Sequence, residues 1–253
     1  MTVILVLLKN AYHRRDTINA ATLRGKLTVT TSTGNDAIYS GAGADALNGG
    51  AGVDVINGGA GADIIDGGAG ADQLTGGTGR DSFTVATSGD SVKTAHDTIA
   101  DFGKVTSAAT AAEVTAMTGV TAFQATATAK GGDEADMIDF ATTATLAAAA
   151  TGTDVSSAVT GTPAVTANIS AKGVVTVFGA GASLVDTLAE WVAVAKIMTA
   201  ANNVAAFEFG GNSFVFQEGN SDDLVQLTGV TGVTGIVLVG GAVAAAAGDI
   251  FVI

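Results

Sequence analysis

GGAGVDVINGGAGADIIDGGAGADQLTGGTGRDSF, residues 49–83, decides the fold. It holds four copies of Gly-Gly-x-Gly-x-Asp, at 49–54, 58–63, 67–72 and 76–81. Two looser copies precede them, TSTGND at 31–36 and SGAGAD at 40–45. The aspartates Asp36, Asp45, Asp54, Asp63, Asp72 and Asp81 are therefore nine residues apart throughout. Two places after each stands a large apolar residue: Ile38, Leu47, Ile56, Ile65, Leu74 and Phe83. A flexible glycine linker has no reason to keep Asp and a large side chain in phase over six copies. A repeat of this period and composition is the signature of a parallel β-helix that binds calcium.

The chemistry follows from the residue types. Six residues make a turn in which glycine accepts a tight bend and presents bare carbonyls. The last three residues make a short strand whose middle side chain points inward. Two repeats complete one flattened coil, and coils stack about 4.8 Å apart. Asp36, Asp54 and Asp72 then line one edge, and Asp45, Asp63 and Asp81 the other. Stacked carboxylates repel. A hard cation that accepts six or more oxygens removes that repulsion, which suits Ca²⁺ better than the smaller, octahedral Mg²⁺. Bridging each Asp to the one a coil further on gives about four complete sites.

This stretch resembles the RTX (repeat-in-toxin) family of secreted bacterial proteins. The resemblance implies that carbonyls at positions one and three with the Asp serve one ion, and those at two and four with the same Asp the next. Gly49, Ala51 and Asp54 would form one half-site, and Gly50, Gly52 and Asp54 the other. The same assignment covers Gly58, Gly59, Ala60 and Gly61 with Asp63, and Gly67, Gly68, Ala69 and Gly70 with Asp72. It also covers Gly76, Gly77, Thr78 and Gly79 with Asp81. In the upstream copies it reaches Asp36, and Gly41 and Gly43 with Asp45. Thr31 and Ser32 depart from the pattern, Ser40 partly so, and the first coil is expected to bind weakly or to act as a cap.

The likeness continues downstream. GTGRDSFTV (77–85) resembles a closing repeat in which Phe83 plugs the roll. HDTIADF (96–102) and DMIDF (136–140) resemble a pair of partner strands, here separated by an Ala/Thr-rich insertion. DDLVQLTGV (222–230) is similar to a strand near the end of S-layer and other RTX chains. The close, Asp249-Ile250-Phe251-Val252-Ile253, is similar to an uncleaved signal for type I secretion; as plain structure it reads as a final edge strand. The resemblance thus implies calcium ions and a type I secretion transporter as partners, and self-assembly into a surface layer.

Composition agrees with a β-rich chain and narrows the functions. The net charge is −13, yet five of the eleven basic residues lie in the first 26 positions. The remainder repels nucleic acid, and no basic stripe offsets it. VILVLL (3–8) is too short for a membrane span, which needs about 20 apolar residues, and reads as a buried strand. The absence of cysteine fits a chain that never needed it, or a secreted one held together by metal.

The fold class expected is mainly β: a parallel β-roll of nonapeptide repeats, then a β-rich flanking domain with one or two helices. Residues 1–30 read as one or two lead-in strands that cap the roll, 31–85 as the roll, and 86–253 as the flank carrying the secretion signal. Ser183–Asn202 is the best helix, with Ser183 as N-cap and Asp186 three residues on. Ser107–Met117 is a second candidate. AAFEFGGNSFVFQ (205–217) reads as a hairpin turning at Gly210–Asn212.

No catalytic motif is present. His13 and His96 are the only histidines, and H-E-x-x-H and G-x-S-x-G are both missing. Two functions remain: a non-enzymatic, S-layer-like protein secreted to the cell surface, or the C-terminal calcium and secretion module of a larger RTX enzyme such as a protease or lipase.

Overall fold

A three-residue strand closes each nonapeptide, and hydrogen bonding to the repeat two further on gives it a sheet. The computed structural model describes residues 4–7, 15–85, 95–103, 136–140, 145–146, 149–155, 158, 164–179, 182–200, 203–218, 222–238 and 249–252. The repeats supply β4 (Ala37–Tyr39), β5 (Ala46–Asn48), β6 (Val55–Ala60), β7 (Ile64–Asp66), β8 (Gln73–Thr78) and β9 (Ser82–Val85). Even-numbered strands pair in parallel with Ile38 opposite Ile56 and Ile56 opposite Leu74. Odd-numbered strands pair in parallel with Leu47 opposite Ile65 and Ile65 opposite Phe83. The result is the expected β-roll, two parallel sheets with one row of large side chains from each meeting in the middle.

Both sheets run past the repeats. Upstream lie three strands, β1 (Ile4–Leu7), β2 (Thr17–Asn19) and β3 (Leu27–Thr30), where one or two were expected. β1 pairs with β3 and β3 with β5, while β2 pairs with β4. Downstream, β10 (Asp97–Ile99) pairs in parallel with β8, and β11 (Met137–Phe140) with β9. The segments HDTIADF and DMIDF are therefore not partners of each other; they extend opposite sheets. Phe83 does not end the roll either, because Ile138 stands opposite it in the next layer. The inward rows are Val29, Leu47, Ile65, Phe83, Ile138 and Ile250 on one sheet, and Ile18, Ile38, Ile56, Leu74, Ile99 and Leu227 on the other.

The flank grows on those extensions. β16 (Asn203–Phe209) and β17 (Asn212–Gln217) form the expected hairpin, turning at Gly210 and Gly211 with φ of 60° and 79°. Two consecutive positive φ values match the twist of a two-residue hairpin. β18 (Asp223–Leu227) pairs antiparallel with β17 and parallel with β10, joining the hairpin to the roll. Phe207, Phe214, Phe216 and Leu224 leave the opposite face of this sheet for a second core. A three-stranded sheet of β13 (Ala150–Asp154), β14 (Thr166–Ile169) and β15 (Val175–Phe178) contributes to it. So does α1 (Leu188–Met198), whose Trp191 ring stacks on Phe207 at 5.5 Å. Near-continuous apolar runs in β16 and β17 follow from burial on both faces.

The helix starts later than its sequence suggests. Thr187, not Ser183, is the N-cap: its side chain accepts from the Glu190 backbone N–H, and Glu190 accepts from the Thr187 N–H. Residues 182–184 form one 3₁₀ turn instead. Glu at the third position completes this capping box with a longer reach than Asp186 offers. The candidate helix at Ser107–Met117 lies outside the described residues. No helix among them is long and apolar enough to cross a membrane.

The C-terminal strand is interior, not an edge. β20 (Asp249–Val252) pairs antiparallel with β11 on one side and with β19 (Ile236–Leu238) on the other. Ile250 and Val252 are fully buried. Burial of one such side chain is worth about 1.5–3 kcal/mol, so removal of residues 249–253 should lower stability by about 3–6 kcal/mol. Guanidinium unfolding in saturating calcium measures this, and an unchanged midpoint would exclude a structural role for the strand.

Candidate metal centre

The six repeat aspartates stand where the spacing places them, along the two edges, and all are buried. Each carboxylate has two distinct oxygens. Oδ1 accepts the backbone N–H of the residue one coil earlier: Asp36 N–H donates to Asp54 at 2.6 Å, Asp54 to Asp72 at 2.7 Å, Asp45 to Asp63 at 2.8 Å and Asp63 to Asp81 at 2.9 Å. One oxygen thus holds the stack. The other, Oδ2, has no hydrogen-bond partner in Asp36, Asp54 or Asp63. A buried, unpartnered carboxylate oxygen is costly, and a bound cation would relieve that cost.

The surroundings of Oδ2 fit calcium. A Cβ on Gly58 would lie 2.5 Å from Asp63 Oδ2 and 2.7 Å from the carbonyl oxygen of Gly76. Gly49 repeats the arrangement with Asp54 Oδ2 and the Gly67 carbonyl. Gly49 and Gly58 therefore keep open a cradle between a carboxylate and a carbonyl of the next coil, while a Cβ on Gly67 or Gly76 would meet the carboxylate of Asp72 or Asp81. Position-three carbonyls carry inter-coil bonds: Gly34 N–H donates to Ala51, Gly43 to Ala60, Gly52 to Ala69 and Gly61 to Thr78, at 2.7–2.8 Å. Position-two carbonyls of Gly41 and Gly50 accept from Ala60 and Ala69, both at 2.8 Å. A carbonyl oxygen has a second lone pair, so these bonds leave ligand capacity. The donors are all hard oxygens, mostly neutral, as Ca²⁺ prefers. Among the described residues no three His, Cys, Asp or Glu side chains converge, in keeping with a site built largely from backbone.

The glycine at position four has a different task. Gly52 adopts φ +144° and its Cα packs on the Gly34 carbonyl of the coil before. A side chain there meets backbone, not an open cradle.

Four aspartates outside the repeats continue the same ladder. Asp16 N–H donates to Asp36 Oδ1 at 2.7 Å. Asp97 and Asp136 accept from Asp72 and Asp81, both at 2.9 Å. Asp136 uses its other oxygen on Gly103 N–H at 2.8 Å. Asp101 accepts from Gly76 and Gly77 at 2.9 and 2.8 Å, in the role of a backbone carbonyl of the next coil. The signal was available: Asp16, Asp97 and Asp136 each precede an isoleucine by two places, as in the repeat. They escape a search for glycine-rich turns because no such turn precedes them.

Residues 28–56 and 48–83 match the family model of the RTX calcium-binding nonapeptide repeat (4 copies). The chain carries RTX repeats. No curated protein matches it. RTX repeats are calcium-binding motifs, and the geometry above supplies the oxygens that such binding needs.

Burial sets the electrostatics of the RTX edges. It pushes the Asp54 carboxyl up to about 7, opposed by the Asp36 backbone N–H and reinforced by the Asp72 and Asp36 charges. Asp63 is pushed up to about 8 by burial, with Asp81 and Asp45 adding to it. Asp136 is also pushed up to about 8, burial again dominating. In the metal-free fold these groups hold protons that the unfolded chain releases near pH 4. Stability of the metal-free roll therefore falls as pH rises from about 4 to about 8. Metal must displace those protons, so its affinity falls as pH drops through the same window. In chelator, circular dichroism should show more β-structure at pH 5 than at pH 8. The calcium midpoint should shift to higher concentration between pH 8 and pH 6, and a pH-independent midpoint would contradict the raised carboxyls.

The aspartates should not be equivalent. Asp54 and Asp63 face complete turns on their own and the following coil, whereas Asp36 sits in the Thr31–Ser32 turn. Asp54→Ala or Asp63→Ala should weaken calcium binding more than Asp36→Ala, read by calorimetry; equal losses would mean a different register.

Proposed function

We propose that the chain is a calcium-binding structural protein of the cell surface, S-layer-like and without catalytic activity, that leaves the cell by type I secretion and folds outside it. The observation that carries this reading is the repeated pairing of a buried Asp Oδ2 with a glycine carbonyl one coil on. Asp54, Asp63, Asp72 and Asp81 act as carboxylate ligands. The carbonyls of their own turns and of the adjoining coils complete each site. When bound, calcium supplies the positive charge that lets these carboxylates stack.

Folding then depends on compartment. Extracellular calcium modules bind at about 10⁻⁴–10⁻³ M. A metal that binds only the folded state stabilises it by RT ln(1 + [L]/Kd), which is negligible at cytosolic calcium and large outside. The chain thus stays threadable in the cytoplasm and sets once exported. Richness in Ala, Thr, Gly and Val, lack of cysteine and absence of catalytic motifs favour a structural role.

Circular dichroism and electron microscopy test the two halves of the reading. Chelator should abolish the β-signal of the roll and millimolar calcium should restore it; a spectrum indifferent to chelator would reject metal-coupled folding. Purified protein with calcium should form two-dimensional sheets. Discrete particles at every concentration would favour instead the calcium and secretion module of a larger enzyme.

A further inference from the structure

Position one of the repeat holds Gly49, Gly58, Gly67 and Gly76 in the complete copies, but Thr31 and Ser40 in the first two. None of those four glycines has positive φ, unlike the glycines at positions two and four of the same turns. Backbone conformation therefore does not require glycine at position one. Space does, because a Cβ there would meet the Oδ2 of its own turn's aspartate and, at Gly49 and Gly58, the next coil's carbonyl as well.

Thr31 and Ser40 put a side chain into that place. Both are buried. The Ser40 hydroxyl donates to Oδ2 of Asp45, the aspartate of its own turn. The Thr31 hydroxyl donates to the carbonyl of Gly49, position one of the next coil. These are the two kinds of oxygen that flank the cradle at Gly58. Asp45 Oδ2 accordingly has a partner, whereas Asp54 and Asp63 Oδ2 have none, and neither has Asp36 Oδ2, because the Thr31 hydroxyl turns to the carbonyl instead. A surface hollow of about 600 Å³ opens beside Ser40, and Arg24 lines it.

We propose that the Ser40 hydroxyl stands in for calcium at the first coil, so that the ion ladder begins one coil later on the edge of Asp45, Asp63 and Asp81. The inference rests on calcium occupying the complete repeats. A hydroxyl supplies one hydrogen bond where the ion would supply several ligand bonds, but it is present without metal. That edge of the first coil is thereby closed before any ion arrives.

Calcium stoichiometry of the full-length chain, by equilibrium dialysis and calorimetry, tests this. Ser40→Gly should bind one more ion per chain than wild type. Ser40→Ala keeps a Cβ in the cradle and should bind the wild-type number. Should Ser40→Gly fail to fold in saturating calcium, Ser40→Ala decides, since an ion lost there makes Ser40 a ligand. Wild-type stoichiometry in a folded glycine variant overturns the proposal. A loss of ions in Ser40→Ala overturns it as well, since Ser40 would then be a ligand. A wild-type chain that binds no calcium rejects the underlying reading instead.

Discussion

One hydrogen bond organises the molecule: a backbone N–H of one coil to a buried aspartate oxygen of the next. It recurs at 18-residue intervals through the repeats on both edges. It fixes the strand register, because a slip of one residue would move Asp off the N–H and the inward aliphatic off the core. It also fixes which oxygen remains for metal. With Oδ1 committed to the backbone, Oδ2 has one direction left, toward the first glycine of its own turn. The glycines, the aliphatic row and the cation cradle are therefore consequences of one contact, not independent features.

That bond has a polarity, and the two ends of the roll differ because of it. Every coil is held by the aspartate of the coil that follows. The first coils need no special acceptor, and Asp16 and Leu27 simply donate forward into Asp36 and Asp45. The last coil does need one. Asp97 and Asp136 supply it, and Asp101 takes the two glycine N–H groups that would otherwise meet no further turn. Beyond them the chain turns to antiparallel pairing through β18, β17 and β20. A parallel roll left with raw edges would invite other chains, and pairing the last layer with flank strands removes that hazard.

The roll was legible because its signal is periodic and its chemistry is local: Asp, glycine and aliphatic recur at fixed spacing. The hairpin at 205–217 was legible from its Gly-Gly turn between apolar runs. Less legible were features set by tertiary context. Asp97 and Asp136 share the Asp-x-Ile pattern, but with no glycine turn before them the ladder could not be followed by spacing alone. Ser183 and Thr187 are both plausible caps, and only the reach of Glu190 chooses between them. The C-terminal DIFV reads as an edge by its place in the chain, yet β19 arrives from earlier in the sequence to cover it. Order along the chain does not dictate order across a sheet. The role of Ser40 needed coordinates for the same reason: as a departure from consensus it looks like decay, while its hydroxyl in fact meets the carboxylate.

The continuity of the inner core gives the metal edges influence far beyond the repeats. Val29 to Ile250 forms one row and Ile18 to Leu227 another, and both cross from lead-in through repeats into flank. β10 and β11 are laid down on β8 and β9, and β18 and β20 are laid down on them in turn. Repulsion among stacked carboxylates therefore acts on the very strands that template the flank. In repeat architectures each unit is stabilised by its neighbours, so stability propagates from coil to coil. Long-range parallel pairing also costs loop entropy before it yields contacts, which makes the first ordered coils the difficult step. A roll whose starting coil is closed on one edge by the Ser40 hydroxyl, and whose later coils close through metal, separates those two demands.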